Sequence, residues 1–410
     1  MKRRQFLDTM LAAPLWCSML TSAWSAQVPG GREKRLVVVL LRGAVDGLNV
    51  LVPYTDGHYY DYRPGIAIRE GRSDDRARDL DGRFALHPAL AAIMPLWRDR
   101  SLAFVQCCGS PDNTRSHFEA QAYMESGTPG VRTTADGWMN RLLSVLPGEK
   151  DAPRAVSFGP VLPRIIKGKA PATNVAVGKA ATHAMPLDRP VVSAAFDRLY
   201  RGDDALARAY REGQKGRRTV MAELAADMEG SSMGAPGIRS FDNTARRVAR
   251  LIARDGGTQL AVVELGGWDT HVNQGSGAGQ LANRLKPLGD GLMALIRALG
   301  HTYKETVIVV MSEFGRTVRE NGNGGTDHGH GNAMWVMGGS VRGGKVYGDC
   351  PGLAEDQLFE GRDLPVTTDF RDVCAAVLRA HIGLSTTQLA HVFPAYRPAF
   401  THTAGLLTPW

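Results

Sequence analysis

Two stretches concentrate the residues able to do chemistry. Gly266-Gly267-Trp268-Asp269-Thr270-His271 and Gly325-Thr326-Asp327-His328-Gly329-His330-Gly331 set carboxylates and imidazoles among glycines. Glu313 lies in Ser312-Glu313-Phe314-Gly315-Arg316-Thr317, Asp46 in a glycine-rich turn, and Ser116-His117 adds a hydroxyl and a further imidazole. Carboxylate and neutral imidazole together suit a divalent transition metal, zinc or manganese above calcium. One or two such ions polarise a phosphate or sulfate oxygen and activate a nucleophile. The expected metal ligands are Asp46, Asp269, His271, Glu313, Asp327, His328 and His330. Ser116 and His117 are the expected catalytic groups, and Arg42 and Arg316 the expected anion partners.

Each has a plainer reading. Asp46 can simply satisfy the backbone of its turn, and the two readings are evenly balanced. Ser116 has Glu119 three residues on, the spacing of a capping box, and a lone serine before a helix is more often a cap. A helix N-terminus there would also help to hold an anion. His117 can be core packing beside Phe118, and the two arginines can pair with neighbouring carboxylates. Trp268 and Phe314 read as walls. Asp327-His328-Gly329-His330 is the piece with the least packing value.

The elements that must position these groups are legible as apolar runs. Arg35–Leu41, Leu102–Gln106, Leu260–Leu265, Thr306–Met311 and Ala333–Met337 read as buried strands, and Ala155–Phe158 as a short one. Helical patterns follow His87, Ser116 and Gly137, and cover Gln280–Leu299 and Arg371–Ile382. Tyr54–Arg83 is polar and reads as a surface excursion, and residues 191–254 as a helical insertion or cap. Strands alternating with helices predict an α/β fold with a doubly wound, mostly parallel sheet. In such sheets ligands bind beyond the carboxyl ends of the strands, where the acids and imidazoles fall.

The chain has 410 residues, 43% of them hydrophobic, enough for a large core. Lys2-Arg3-Arg4-Gln5-Phe6-Leu7, an apolar run from Met10 to Leu20 and Ala23-Trp24-Ser25 describe an export signal over residues 1–25, with residues 26–410 as one domain. Its paired arginines resemble a twin-arginine signal, with Asp8 where a lysine is common. The reading implies the twin-arginine machinery as a partner and a periplasmic or secreted location. The apolar run is short for a spanning helix, so no stable membrane span is expected after processing. The net charge of +8 becomes +6 once the leader's three cations and single anion are removed. No basic block interleaved with aromatics is present, which excludes a nucleic-acid reading and leaves an anionic small-molecule or polymer substrate. Cys107, Cys108, Cys350 and Cys374 remain beyond the leader; an oxidising compartment permits disulfides, and no C-x-x-C spacing suggests a zinc knuckle.

Arg42-Gly43-x-x-Asp46-Gly47-Leu48-Asn49, Arg115-Ser116-His117-Phe118, Gly137-Trp138, the Gly266–His271 stretch, Ser312–Thr317 and Thr326-Asp327-His328-Gly329 resemble, in order, the family catalogued as domain of unknown function 1501. That family is similar in layout to the alkaline phosphatase and sulfatase superfamily. The resemblance implies a metal-dependent hydrolase fold, with Asp46 binding one metal and Asp269, His271 and His328 binding the other. It implies Ser116, or Thr114, as the hydroxyl nucleophile. Glu313 falls at the aspartate of an Asp-His pair, and Phe314 stands where the histidine would be. Cys108-Gly109-Ser110-Pro111 lacks the sulfatase Cys-x-Pro-x-Arg spacing. The expectation is an exported metal-dependent hydrolase of phosphate or sulfate esters. The alternatives are a non-catalytic binding or assembly protein on the same fold, and a one-metal enzyme with different chemistry.

Overall fold

The computed structural model describes residues 33–408 apart from 72, 149–153, 160, 177–189, 215–240 and 255–256. The expected export signal lies outside the described residues. The strands in chain order are β1 (Arg35–Arg42), β2 (Leu51–Val52), β3 (Arg78–Asp79), β4 (Ala85–Leu86), β5 (Leu102–Gly109), β6 (Ala155–Phe158), β7 (Thr173–Val175), β8 (Leu260–Gly266), β9 (Thr306–Ser312), β10 (Asn332–Gly338), β11 (Lys345–Tyr347) and β12 (Thr368–Asp369). Nine of them form the central sheet, in the order β11-β5-β10-β9-β1-β8-β6-β7, with β12 also paired to β5. The remaining β2, β4 and β3 form a small antiparallel sheet.

The unbroken apolar runs are strands because both faces of the sheet are covered. Along β1, Val37, Val39 and Leu41 join one core cluster and Leu36, Val38 and Leu40 join the other. The first cluster takes in helices Phe241–Ala253 and Ala282–Leu299, the second helices Trp138–Val145 and Phe370–Val377. Each fully buried Val or Leu contributes roughly 1.5–3 kcal/mol relative to exposure. The result is a mixed α/β fold with a mostly parallel sheet.

β10 is the exception. It runs antiparallel to both β5 and β9, while β1 is parallel to β8 and β9. Its first residue therefore lies at the edge where β1, β5, β8 and β9 end. The segment joining β9 to β10 holds no helix, and a parallel pairing needs a long crossover, usually helical.

Two expectations need correction. Phe241–Ala253, assigned to an insertion or cap, is built into the core: Phe241, Ala245, Val248 and Ile252 are buried with the sheet. Tyr54–Arg83 is not merely a surface excursion, since it delivers the fully buried Arg63 beneath the site edge. Among the described residues no helix is long and apolar enough to cross a membrane.

Candidate metal centre

Three connections meet at the carboxyl edge of the sheet. His117 opens helix His117–Ser126 after β5, Asp269 and His271 follow β8, Glu313 follows β9, and Asp327 and His328 precede β10. The loops lie flat on one another. Gly329 N donates to Gly315 O at 2.8 Å, and a Cβ on Gly329 would stand 2.4 Å from the Arg316 carbonyl carbon. Only glycine allows that approach, and it sets His328 over the sheet.

Three imidazoles are held from behind by their Nδ1 atoms. His117 Nδ1 lies 2.8 Å from Glu313 Oε1, His328 Nδ1 2.9 Å from the Arg115 carbonyl oxygen, and His271 Nδ1 3.2 Å from Asp327 Oδ1. Carbonyl and carboxylate oxygens only accept, so the tautomer protonated on Nδ1 satisfies each of these contacts and leaves an Nε2 lone pair facing forward. Those lone pairs converge. His328 Nε2 is 3.0 Å from His117 Nε2 and 3.1 Å from His271 Nε2. Asp269 Oδ1 is 2.9 Å from His271 Nε2 and 3.5 Å from His328 Nε2, and its Oδ2 is 3.6 Å from His117 Nε2. One shared proton relieves a single such contact, whereas a cation relieves all of them. Tetrahedral zinc with Zn–N near 2.0–2.1 Å spaces its nitrogens about 3.3 Å apart, close to the separations of His328 Nε2 from its two neighbours. His117, Asp269 and His328 each present a ligand atom within 4.8 Å of the others.

The electrostatics favour the same arrangement. The Glu313 hydrogen bond raises the His117 pKa, while burial and the neighbouring His117 lower that of His328. Burial pushes Asp269 up, but Arg316 overrides it and the carboxyl is held below its ordinary value. Burial likewise pushes Glu313 up, and hydrogen bonds from His117, Gln121 and Gly43 N bring it down. Asp327 is lowered by its hydrogen bond from Asn321. The mouth is open to solvent, with the side chains of Asp269 and His271 42% and 39% exposed.

The structure brings together Asp269, His271 and His328 of the expected ligands and adds His117, which had been expected as a catalytic group. Glu313 and Asp327 stand one step behind, each turning an imidazole. Asp46, expected as a ligand, lies apart from this cluster. Both its oxygens are consumed by Arg63, at 2.6 and 3.1 Å, by Gln274 Nε2 at 2.6 Å, and by Leu48 N at 3.2 Å. His330 is also outside the cluster, buried against Phe359 with ring centroids 4.5 Å apart.

The two arginines expected to meet an anion are engaged inside the fold. Arg42 is spent on Gln121, Glu125 and Glu264. Arg316 is fully buried, donating to the carbonyls of Ala44, Gly43, Trp268 and Thr326 and to Asp269. Thr114 Oγ1 donates to Glu119 Oε2 at 2.9 Å, so it is no free nucleophile and Glu119 closes no capping box. Ser116 is the N-cap of helix His117–Ser126, without a side-chain capping bond. Phe314 is a wall: its buried ring lies 4.9 Å from that of His117 and 5.2 Å from that of His328.

A mostly parallel α/β sheet with a histidine–aspartate cluster at its carboxyl edge is thus the class of protein that the fold and site define. The chain belongs to the family described as protein of unknown function (DUF1501), which matches residues 33–393. No match was found among curated proteins. Among solved structures it is similar to the C-terminal periplasmic domain of EcEptC from Escherichia coli, at 13% identity and a TM-score of 0.39, covering 90% of this chain and 88% of that one. The same domain in complex with Zn gives 12%, 0.35, and 75% and 73%. A protein in the alkaline phosphatase superfamily from Vibrio parahaemolyticus matches at 11% identity and a TM-score of 0.36, over 77% of this chain and 62% of that one. The PsFucS1 sulfatase from Pseudoalteromonas sp. matches at 13% and 0.35, over 85% and 68%.

Proposed function

We propose that the protein is an exported hydrolase of phosphate or sulfate esters that works with one divalent transition metal, zinc or manganese. His117, His271, His328 and Asp269 would hold it. The observation that carries the reading is the convergence of three Nε2 atoms whose Nδ1 partners are all acceptors. When bound, the ion supplies a Lewis acid for an ester oxygen and lowers the pKa of a nearby hydroxyl. The ester class follows from the family the motifs resemble, in order, since that family is similar in layout to the alkaline phosphatase and sulfatase superfamily. The periplasmic or secreted location rests on the leader.

The chain's own groups have separate tasks. Glu313, Asp327 and the Arg115 carbonyl fix the tautomers, so each imidazole meets the site as an acceptor. Ser116, beside His117 and with no capping bond to hold its hydroxyl, is the attacking group in this reading. The N-terminus of helix His117–Ser126 favours negative charge at the same point.

A second reading is a binding or assembly protein that keeps the metal without turnover. It is favoured by the consumption of Arg42 and Arg316 inside the fold and by Phe314 filling the neighbouring slot. Elemental analysis of purified protein, followed by nitrophenyl phosphate and nitrophenyl sulfate assays, separates the two. Metal with turnover lost in Ser116→Ala supports the hydrolase. Metal without turnover of either ester favours the second reading, and His328→Ala protein with unchanged metal content rejects both.

A further inference from the structure

Away from the metal centre, two cysteines distant in sequence meet beside the small antiparallel sheet. Cys107 lies in β5 and Cys350 in the segment between β11 and β12, both of which pair with β5. Their sulfurs face each other at 2.7 Å. A disulfide closes at about 2.05 Å, so bonding needs less than an ångström of further approach. The other two described cysteines point elsewhere. Cys108, on the opposite face of β5, sets its sulfur 3.3 Å from Met334 Sδ, and Cys374 is buried in the same core cluster. Cys107 has a φ of 50° where the register of β5 against β10 shifts, and this irregularity turns its side chain away from the core cluster of Val105 and Cys108.

We infer that Cys107 and Cys350 are a disulfide-forming pair, oxidised by exchange with an external disulfide and tying the end of β5 to the β11–β12 segment. Cys350 is the attacking group. It is the less buried of the two, and it borders a cavity of about 20 Å³, shared with Gln106 and Arg83. The Cys107 thiol, donating to it, and the charge of Arg83 hold the Cys350 thiol below its usual value, whereas that of Cys107 is pushed up. Cys350 thiolate attacks one sulfur of the external disulfide and expels the other as a thiol. Cys107, losing its proton, then attacks Cys350 in the mixed disulfide and expels the second thiol. Two electrons and two protons leave with those thiols.

The bridge would secure a strand that matters. β5 leads through Ser110–Arg115 into His117, and Thr367 N already donates to the Cys107 carbonyl at 2.9 Å. The test treats folded full-length protein with oxidised glutathione, quenches in acid, then alkylates under denaturing conditions and digests. The expected result is a peptide linking Cys107 to Cys350, with Cys108 and Cys374 alkylated. Because Cys107 and Cys108 share a peptide, Cys107→Ser must abolish the link and Cys108→Ser must retain it. The oxidised protein should melt about 5 °C above the reduced one, as expected for closing a long loop. Alkylation of both Cys107 and Cys350, a stable glutathione adduct on Cys350, or a link through Cys108 would overturn the inference.

Discussion

Glu313 Oε1 accepts from His117 Nδ1 at 2.8 Å, and that one contact turns Nε2 of His117 toward the histidine–aspartate cluster. The carboxylate is buried and also accepts from Gln121 and Gly43 N, so it cannot swing forward to act as a ligand without abandoning them. Its influence on the site runs through the imidazole.

Glu313→Gln tests that relationship. The amide keeps the shape but offers an oxygen only if it turns its NH2 toward other donors, and it loses the charge that supports His117. Zinc affinity, read by titration against a competing chelator, is expected to fall about 10–100-fold, as for other carboxylates behind a metal-binding imidazole. An unchanged affinity would mean that His117 is oriented by something else.

The pH dependence follows from the directions of the shifts. In the metal-free protein His117 is raised above 6.5, so its pairing adds stability below pH 6.5 that is lost as pH rises through its folded value. Asp269, Glu313 and Asp327 are lowered from 3.8, 4.5 and 3.8, adding stability above those values that is lost as pH falls through the folded ones. His328 is lowered from 6.5, so its contribution is present above 6.5 and fades toward acid. A metal must displace the His117 proton, so zinc affinity should climb between pH 6 and 8, by up to about tenfold per unit for each proton released. Chelator titrations at pH 6, 7 and 8 check the slope; a flat profile would remove His117 from the ligand set.

Asp46 separates a structural acid from a ligand. Its ion pair with Arg63 is fully buried, and removing one partner strands the other charge. Asp46→Ala is expected to lower stability by about 3–5 kcal/mol in denaturant unfolding while metal content per folded chain stays the same. Loss of metal from folded Asp46→Ala protein would restore Asp46 to the site.

How far the sequence could be read follows from these cases. The strands were legible because an apolar run buried on both faces needs no partner to be identified, and Asp269, His271 and His328 because glycine-rich strand ends are poor places for packing. The sense of β10 was legible in principle: the β9–β10 segment has no helical pattern that could make a parallel crossover. Asp46 and Asp269 look alike in sequence, each in a glycine-rich loop after a strand. What distinguishes them is Arg63, brought to Asp46 by a polar segment, and Arg316, which takes only one side of Asp269 and leaves the carboxylate facing the imidazoles. His117 carried no local mark of a ligand, since its neighbour Phe118 is 90% exposed and the helix it opens shows no clear apolar stripe.

Under the one-metal proposal, Phe314 is not by itself what keeps a second ion from the edge. Phe314→His would place a further imidazole at this point. The new imidazole would still lack companions, because Asp46 is locked by Arg63 and Gln274, and Glu313 by His117, Gln121 and Gly43 N. The variant would also bury a polar ring where a phenyl packs on His117 and His328, a cost of about 1–3 kcal/mol if it stays unpaired. Phe314→His is therefore expected to bind no more metal than the parent in elemental analysis, and to melt at a lower temperature. A second equivalent of zinc bound by the folded variant would show that Asp46 or Glu313 can leave its present partners, and that the one-metal edge is set by the phenylalanine alone.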